Sequence, residues 1–285
     1  MQSEIRKLAV VGHPISHSLS PALHRAAYEQ LGLGWTYEAE DVQPDHLDSF
    51  LAGCDFSLRG LSVTMPHKVS ALELAQSVDL HSERTGSVNT LLCDYSDTGE
   101  RRLSGFNTDV FGIVNALQDS GLTHSRHVSV IGGGATASSA IAAAAELGAE
   151  HVSVVVRNPH KAFYLETVGQ EYGVNVSVHT FESMTEISAV DVAISTIPGD
   201  AVLSLSALPR TPRATLLDVA YSPWPSSRAA EWASAGGEVV SGLRMLAHQA
   251  LIQVRIFVSG SPFELLHEES LVKAAMFASV GLESA

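Results

Sequence analysis

The stretch HVSVIGGGATASSAIAAAAELG, residues 127–148, decides the fold. A short β-branched run ends in three glycines and passes straight into an alanine-rich segment that reads as a helix. Gly132, Gly133, Gly134, Ala135, Thr136 and Ala137 fit the pattern G-x-G-x-x-A, with a strand before it and a helix after it. HVSVVVRN (151–158) follows as the next strand, which completes a strand-helix-strand unit. Small residues at such a turn let a pyrophosphate approach the backbone and sit on the helix N-terminus. The bland alternative is a glycine turn that serves only helix-sheet packing. The end of the second strand separates the two nicotinamide cofactors. NAD sites usually carry an acid there for the ribose hydroxyl. Here the chain reads Val156-Arg157-Asn158-Pro159-His160-Lys161, with no acid. Arg157 can fork onto a 2′-phosphate and Lys161 adds a second cation, so NADP is expected rather than NAD.

Outward from this unit, strands and helices alternate in both directions. On the N-terminal side, LAVVG (8–12), WTYEAEDV (35–42), LRGLSVTM (58–65), SVNTLLCDY (87–95) and RRLSGF (101–106) read as strands. PALHRAAYEQLG (21–32) reads as a helix with Ser20 as N-cap and Gly32 as terminator, and PDHLDSFLAG (44–53) as another. A helix is expected to open at Pro66 and another over 109–121. On the C-terminal side, strands are expected at VNVSVHTF, VDVAISTIP, ATLLDVAY and EVVSG, then a long amphipathic helix over 243–260 and a closing helix. This alternation implies an α/β fold with mainly parallel sheets. Two sheets in sequence imply two domains with a cleft between them.

Two segments of the first half carry candidate chemistry. In SVTMPHK (62–68) a lysine, Lys68, falls in a first helical turn, where the helix dipole disfavours a cation. It is either a solvated side chain or a lysine held for use. In GHPISHSLSP (12–21), Ser18 and Ser20 lie beside the positive end of a helix, which suits a small carboxylate. Plain helix capping explains Ser20 equally well and leaves Ser18 without a task.

The 285 residues suffice for one large domain or two ordinary ones. No apolar run reaches the length of a membrane span, and the first residues lack a signal-peptide pattern. Cys54 and Cys93 have no metal or redox spacing, so a reduced cytoplasmic protein is the economical reading. No pair among the 13 histidines has metal-site spacing, and no metal is expected. A net charge of −14 argues against nucleic acid as a partner. It also requires any anionic ligand to be held by local donors, because the overall field repels it.

The segments GHPISHSLSPALH (12–24), VTMPHK (63–68), VNTL (88–91), NTD (107–109), GGGATA (132–137), the Arg157 strand end, DVAYSPWP (218–225) and GLRMLAHQA (242–250) occur in the order seen in shikimate dehydrogenases. The chain resembles that family over nearly its whole length. The resemblance implies a substrate domain formed by residues 1–108 and 243–285, with a Rossmann-type NADP-binding domain inserted at 109–242. It implies Lys68 and Asp109 as the catalytic pair. Ser18 and Ser20 would hold the substrate carboxylate, and Thr64, Asn89, Tyr221 and Gln249 would surround the ring. The glycine turn, Arg157 and Lys161 would hold NADP, with Thr196, Val219, Gly242 and Met245 near the nicotinamide. The chain departs from the family at Ser62 and Arg25, where asparagine is frequent, and in Val156-Arg157-Asn158, where Asn-Arg-Thr is frequent.

The implied reaction is the reversible reduction of 3-dehydroshikimate by NADPH to shikimate, a step toward chorismate and the aromatic amino acids. The partner is then a small molecule, with no membrane and no nucleic acid involved, and a homodimer is compatible with the chain. Two other functions stay open: a quinate/shikimate dehydrogenase using NAD, and a nucleotide-binding regulator that keeps the fold without catalysis. Arg157 argues against the first, and intact Lys68 and Asp109 against the second.

Overall fold

A computed structural model describes residues 6–283. It divides into two compact units, Met1–Thr108 with Gln249–Ala285, and Asp109–His248. The chain crosses between them at Thr108/Asp109 and again inside one helix.

The first unit carries β1 (Lys7–Gly12), α1 (Ser20–Gln30), β2 (Thr36–Asp41), α2 (Leu47–Gly53), β3 (Leu58–Val63), α3 (Lys68–Leu74), β4 (Ser77–Val78), α4 (Leu80–Thr85), β5 (Thr90–Tyr95) and β6 (Arg101–Phe106). Its sheet has the order β2-β1-β3-β5-β6-β4. β1 pairs in parallel with β2 and β3, whereas β5 runs antiparallel to both β3 and β6. β4 pairs in parallel with β6, so the sheet is mixed, with three parallel and two antiparallel pairings. SVNTLLCDY and RRLSGF follow one another across the short turn Ser96–Glu100, and such a hairpin can only pair antiparallel. Leu61, Val63, Leu91 and Leu103 bury one face against α2 and α3 residues such as Leu47, Leu51 and Ala71.

The second unit carries α5 (Asp109–Asp119), β7 (His127–Ile131), α6 (Ala135–Glu146), β8 (His151–Val156), α7 (Tyr164–Tyr172), β9 (Asn175–Thr180), β10 (Val190–Ser195), β11 (Arg210–Asp218), α8 (Ser227–Ser234) and β12 (Glu238–Ser241). All its strand pairs are parallel, in the order β12-β11-β10-β7-β8-β9. Read from the other edge, this is the doubly wound dinucleotide-binding order, 3-2-1-4-5-6. Strand side chains alternate between two apolar layers. Val128, Val130, Val152 and Val154 pack under α5 and α6, while Ile131, Val155 and Ala193 pack on the other face with Trp232.

α9 (Gly242–Ser259) holds the second crossing, and α10 (Glu269–Ser279) packs on α1. The return falls at Gln249 and not at residue 243. The first turns of α9 belong with the second unit because Met245 is buried in its core, while Arg244 and His248 both bind Asp119 of α5.

Local starts differ from the sequence expectation in two places. Ser20 is the first residue of α1 and does not cap it, and Leu19 stands at the cap position. The Ser20 N–H is met instead by Ser18 Oγ at 3.3 Å. α3 opens at Lys68 rather than Pro66, because Thr64–His67 form a turn closed by the His67 N–H on the Thr64 carbonyl, 2.9 Å.

Candidate active site

The C-terminal ends of β1 and β3 lie side by side, with Val11 opposite Val63. In parallel α/β sheets this end is where ligands bind. Two loops leave it together, joined by the His13 N–H on the Met65 carbonyl at 3.0 Å. Their close approach needs a glycine at the end of β1: a Cβ on Gly12 would stand 2.4 Å from Thr64 Cγ2. One loop carries Ser18, half-buried, and Ser20, buried; the other carries Thr64 and ends at Lys68. His67 is buried and bonded to the Val42 carbonyl at 2.7 Å, which anchors the turn beneath the lysine.

Lys68 is half-buried, and its carbonyl accepts the Val88 N–H at 2.9 Å. That bond ties the backbone at Lys68 to the residue before Asn89, whose amide lies with Thr108 and Gln249. Asn89 Nδ2 donates to Thr108 Oγ1 at 2.9 Å and to Gln249 Oε1 at 3.3 Å. The Thr108 N–H donates to Asn89 Oδ1 at 2.9 Å. Ser18, Ser20, Thr64, Lys68, Asn89 and Gln249 thus all belong to the first unit. Asp109 follows Thr108 directly, is buried, and opens α5, where an acid suits the positive helix end. Tyr221 belongs to the second unit, where burial raises its phenol above the ordinary range.

The first unit also holds buried polar groups to which the sequence reading gave no role. Tyr37 donates to Ser62 Oγ at 2.6 Å, and Ser62 donates to Gln253 Oε1 at 2.8 Å. Burial pushes the Tyr37 phenol up, opposed by its hydrogen bonds with Ser62 and Ser20. His24 stacks on Tyr37 with ring centres 4.0 Å apart. Among the described residues neither of its ring nitrogens has a hydrogen-bond partner, and burial lowers its pKa to about 3. The spacing of Gln249 and Gln253, one helical turn apart, was the signal available for the second glutamine.

In the second unit the glycine turn has the expected build. Gly132 has φ +118°, and a Cβ there would meet Thr196 Oγ1 at 2.3 Å. Gly133 packs closely on Val156 and Ala162. Gly134 is exposed, and a Cβ there would meet nothing within 4 Å. Packing therefore explains the first two glycines and not the third, whose bare backbone suits the approach of a ligand. Ala135 and Thr136 are half-exposed in the first turn of α6, and Ala137 is buried. Tyr164, also missed from sequence, braces the turn by donating to the Gly133 carbonyl at 3.2 Å.

Arg157 follows β8 directly and is exposed, as is Lys161, which ends a single 3-10 turn whose start is capped by Asn158. Thr196 and Val219 leave the ends of β10 and β11, and Gly242 follows β12. Thr196 Oγ1 donates to the Ile131 carbonyl at 3.0 Å. A Cβ on Gly242 would lie 2.0 Å from the Val219 carbonyl oxygen, so only glycine fits there. Met245 is 7 % exposed and forms part of the hydrophobic core. The loop after β11 is held by a fully buried ion pair, Asp218 with Arg228 at 2.8 Å. Arg228 also donates to the carbonyls of Ile197, Pro198 and Ala201, so one guanidinium ties the loops after β10 and β11 together. Nothing in the local sequence marked it.

These residues fit a dinucleotide: a bare glycine backbone before a helix, and two exposed cations at the strand end where an acid would read ribose. No described group of His, Cys, Asp and Glu is arranged to hold a metal ion. No described helix is long and apolar enough to cross a membrane.

Fold and site together define a Rossmann-type unit joined to an α/β unit with a lysine and buried amides at its strand ends. Residues 10–91 match the family described as shikimate dehydrogenase substrate binding domain, and residues 114–206 match the alanine dehydrogenase/PNT C-terminal domain. The NADP(+) shikimate dehydrogenase of Citrifermentans bemidjiense is 34% identical, over 92% of this chain and 93% of that protein. The crystal structure of Mycobacterium tuberculosis shikimate dehydrogenase superposes with a TM-score of 0.81 at 36% identity, over 96% of this chain and 99% of that one. The Thermus thermophilus enzyme, solved in complex with NADP(H) and shikimate, gives 0.78 at 31% identity over the same shares. The chain belongs to the shikimate dehydrogenase family.

Proposed function

We propose that the chain is an NADP-dependent shikimate dehydrogenase that interconverts 3-dehydroshikimate and shikimate. The observation that carries this reading is the Lys68 backbone tied to Val88, next to Asn89, whose amide meets that of Gln249, in the unit whose strand ends also present Ser18 and Ser20. The relatives named for this activity support it.

Reduction of a ring ketone needs a hydride at carbon and a proton at oxygen. NADPH supplies the hydride when bound. The proton is assigned to the Lys68 ammonium, which also stabilises negative charge developing on the oxygen. Ser18 and Ser20 hold the carboxylate, and Thr64, Asn89, Gln249 and Tyr221 hold the ring. Asp109 is the acid assigned to the same chemistry. Gly134, Thr136 and the α6 N-terminus hold the pyrophosphate, and Arg157 and Lys161 the 2′-phosphate. Thr196, Val219, Gly242 and Met245 are assigned to the nicotinamide end. With a net charge of −14, these local donors must overcome the field of the whole chain. Cytoplasmic residence and assembly as a homodimer belong to the same proposal.

The test is an initial-rate assay by reduced-nicotinamide absorbance, with shikimate or quinate and with NADP or NAD. Shikimate with NADP is expected to give the highest kcat/KM by at least about tenfold. Faster turnover of quinate with NAD, or no turnover of any pair, would overturn the assignment.

A further inference from the structure

Resting on that reading, a second glutamine has a definable task. Gln253 is 1 % exposed, one turn beyond Gln249 on α9. Its neighbours dictate how its amide is turned. The Asn89 carbonyl can only accept, and Gln253 Nε2 donates to it at 3.1 Å and to Thr90 Oγ1 at 2.9 Å. Gln253 Oε1 therefore faces Ser62, whose single hydroxyl proton goes to it at 2.8 Å. Ser62 Oγ can then only accept from Tyr37, at 2.6 Å. Thr90, having accepted from Gln253, sends its own proton to Asn89 Oδ1 at 2.8 Å. The Thr108 N–H, which can only donate, holds the same oxygen at 2.9 Å.

The consequence reaches the site. With Oδ1 doubly held, the Nδ2 edge of Asn89 is directed at Thr108 Oγ1 and at Gln249 Oε1, 3.3 Å away. Gln249 must then turn its Nε2 edge away from Asn89. Two backbone groups, the carbonyl of residue 89 and the N–H of residue 108, fix three amides and three hydroxyls in one direction.

We propose that Gln253, backed by Ser62 and Tyr37, is a positioning residue that sets the polarity of the Asn89 and Gln249 amides. Gln249 is thereby held with its carbonyl toward Asn89 and its N–H edge turned away, the polarity that suits an accepting ring oxygen of the substrate. Flipping Asn89 in place would set its carbonyl against that of Gln249, and flipping Gln249 would set N–H against N–H, so a ligand that required the opposite polarity there would be rejected.

The test uses the full chain and a mutant cycle. Gln253→Met keeps the length and removes the hydrogen bonds. Its KM for shikimate is expected to rise about 10-fold, with kcat within about threefold and KM for NADP within about twofold. In a Gln249→Ala background the same substitution should add less than about threefold, because its effect passes through the lost amide. Gln253→Glu places an acceptor against the Asn89 carbonyl when ionised and regains a donor when protonated. Its KM defect should shrink as pH falls, which a packing role would not produce. Where Gln253→Met does not fold, the pH response of Gln253→Glu and an expected rise of about two- to fourfold in Tyr37→Phe carry the test. An unchanged shikimate KM in the single variants, or full additivity with Gln249→Ala, overturns the positioning role alone. A wild-type chain that neither binds shikimate in calorimetry nor oxidises it overturns the functional reading and this inference with it.

Discussion

His24 offers a stability test with a definite sign. Its imidazole is fully buried, packed on Tyr37 and Tyr28, with both nitrogens unpartnered among the described residues. Burial holds its pKa at about 3, against 6.5 for the unperturbed side chain. The unfolded chain therefore takes up a proton below pH 6.5 that the folded chain refuses until about pH 3. Stability from this group is present in full above pH 6.5 and is lost as pH falls toward 3. Linkage between those two values gives a loss of about 2 kcal/mol from pH 8 to pH 5, at a slope near 1.4 kcal/mol per unit. The perturbation is His24→Phe, which keeps an aromatic ring against Tyr37 and removes the proton site. Urea unfolding followed by tryptophan emission reports on the same cluster, since Trp35 lies 5.3 Å from Tyr28. Other groups titrate in both chains, so the informative quantity is wild type minus variant. That difference should move by about 2 kcal/mol against the wild type between pH 8 and pH 5. A difference that stays constant to within about 0.5 kcal/mol would refute the reasoning, because a buried imidazole that accepts a proton freely is not desolvated.

Arg157→Ala should raise the KM for NADP by about 10- to 100-fold and that for NAD by less than about threefold; equal losses would remove the 2′-phosphate assignment. Arg228→Met strands the buried Asp218 carboxylate and should cost about 3–5 kcal/mol in urea unfolding, most of it recovered when Asp218→Leu is added. Gly242→Ala should destabilise the fold by more than about 2 kcal/mol, since its Cβ meets backbone. Gly134→Ala should fold normally and weaken NADP binding, a split read by melting temperature against cofactor titration.

The second unit was more legible in sequence than the first. Each of its central strands is buried on both faces and reads as a continuous β-branched run, and the glycine turn fixes the register of strand and helix at once. In the first unit the short elements β4 and α4 were missed, because a two-residue strand and a six-residue helix carry no period to detect. α7 and α8 were missed as well; α7 is entered through a 3-10 turn and the exposed Phe163, and both helices are short, at nine and eight residues. Ser18 and Ser20 were visible as hydroxyls beside a helix start, but which one meets the free N–H depended on a one-residue shift of that start. Gln253, Ser62 and Tyr37 were not legible as a group. Their partners lie far along the chain, 191 positions apart for Ser62 and Gln253, and only tertiary packing turns such residues into one network.

The role of Lys68 is tested most directly by separating binding from turnover in Lys68→Ala. Shikimate affinity, measured by calorimetry, should stay within about threefold of wild type, while kcat for shikimate oxidation with NADP falls by about 10²–10⁴. Turnover near the wild-type value, or a loss confined to KM, would contradict a lysine that moves the proton.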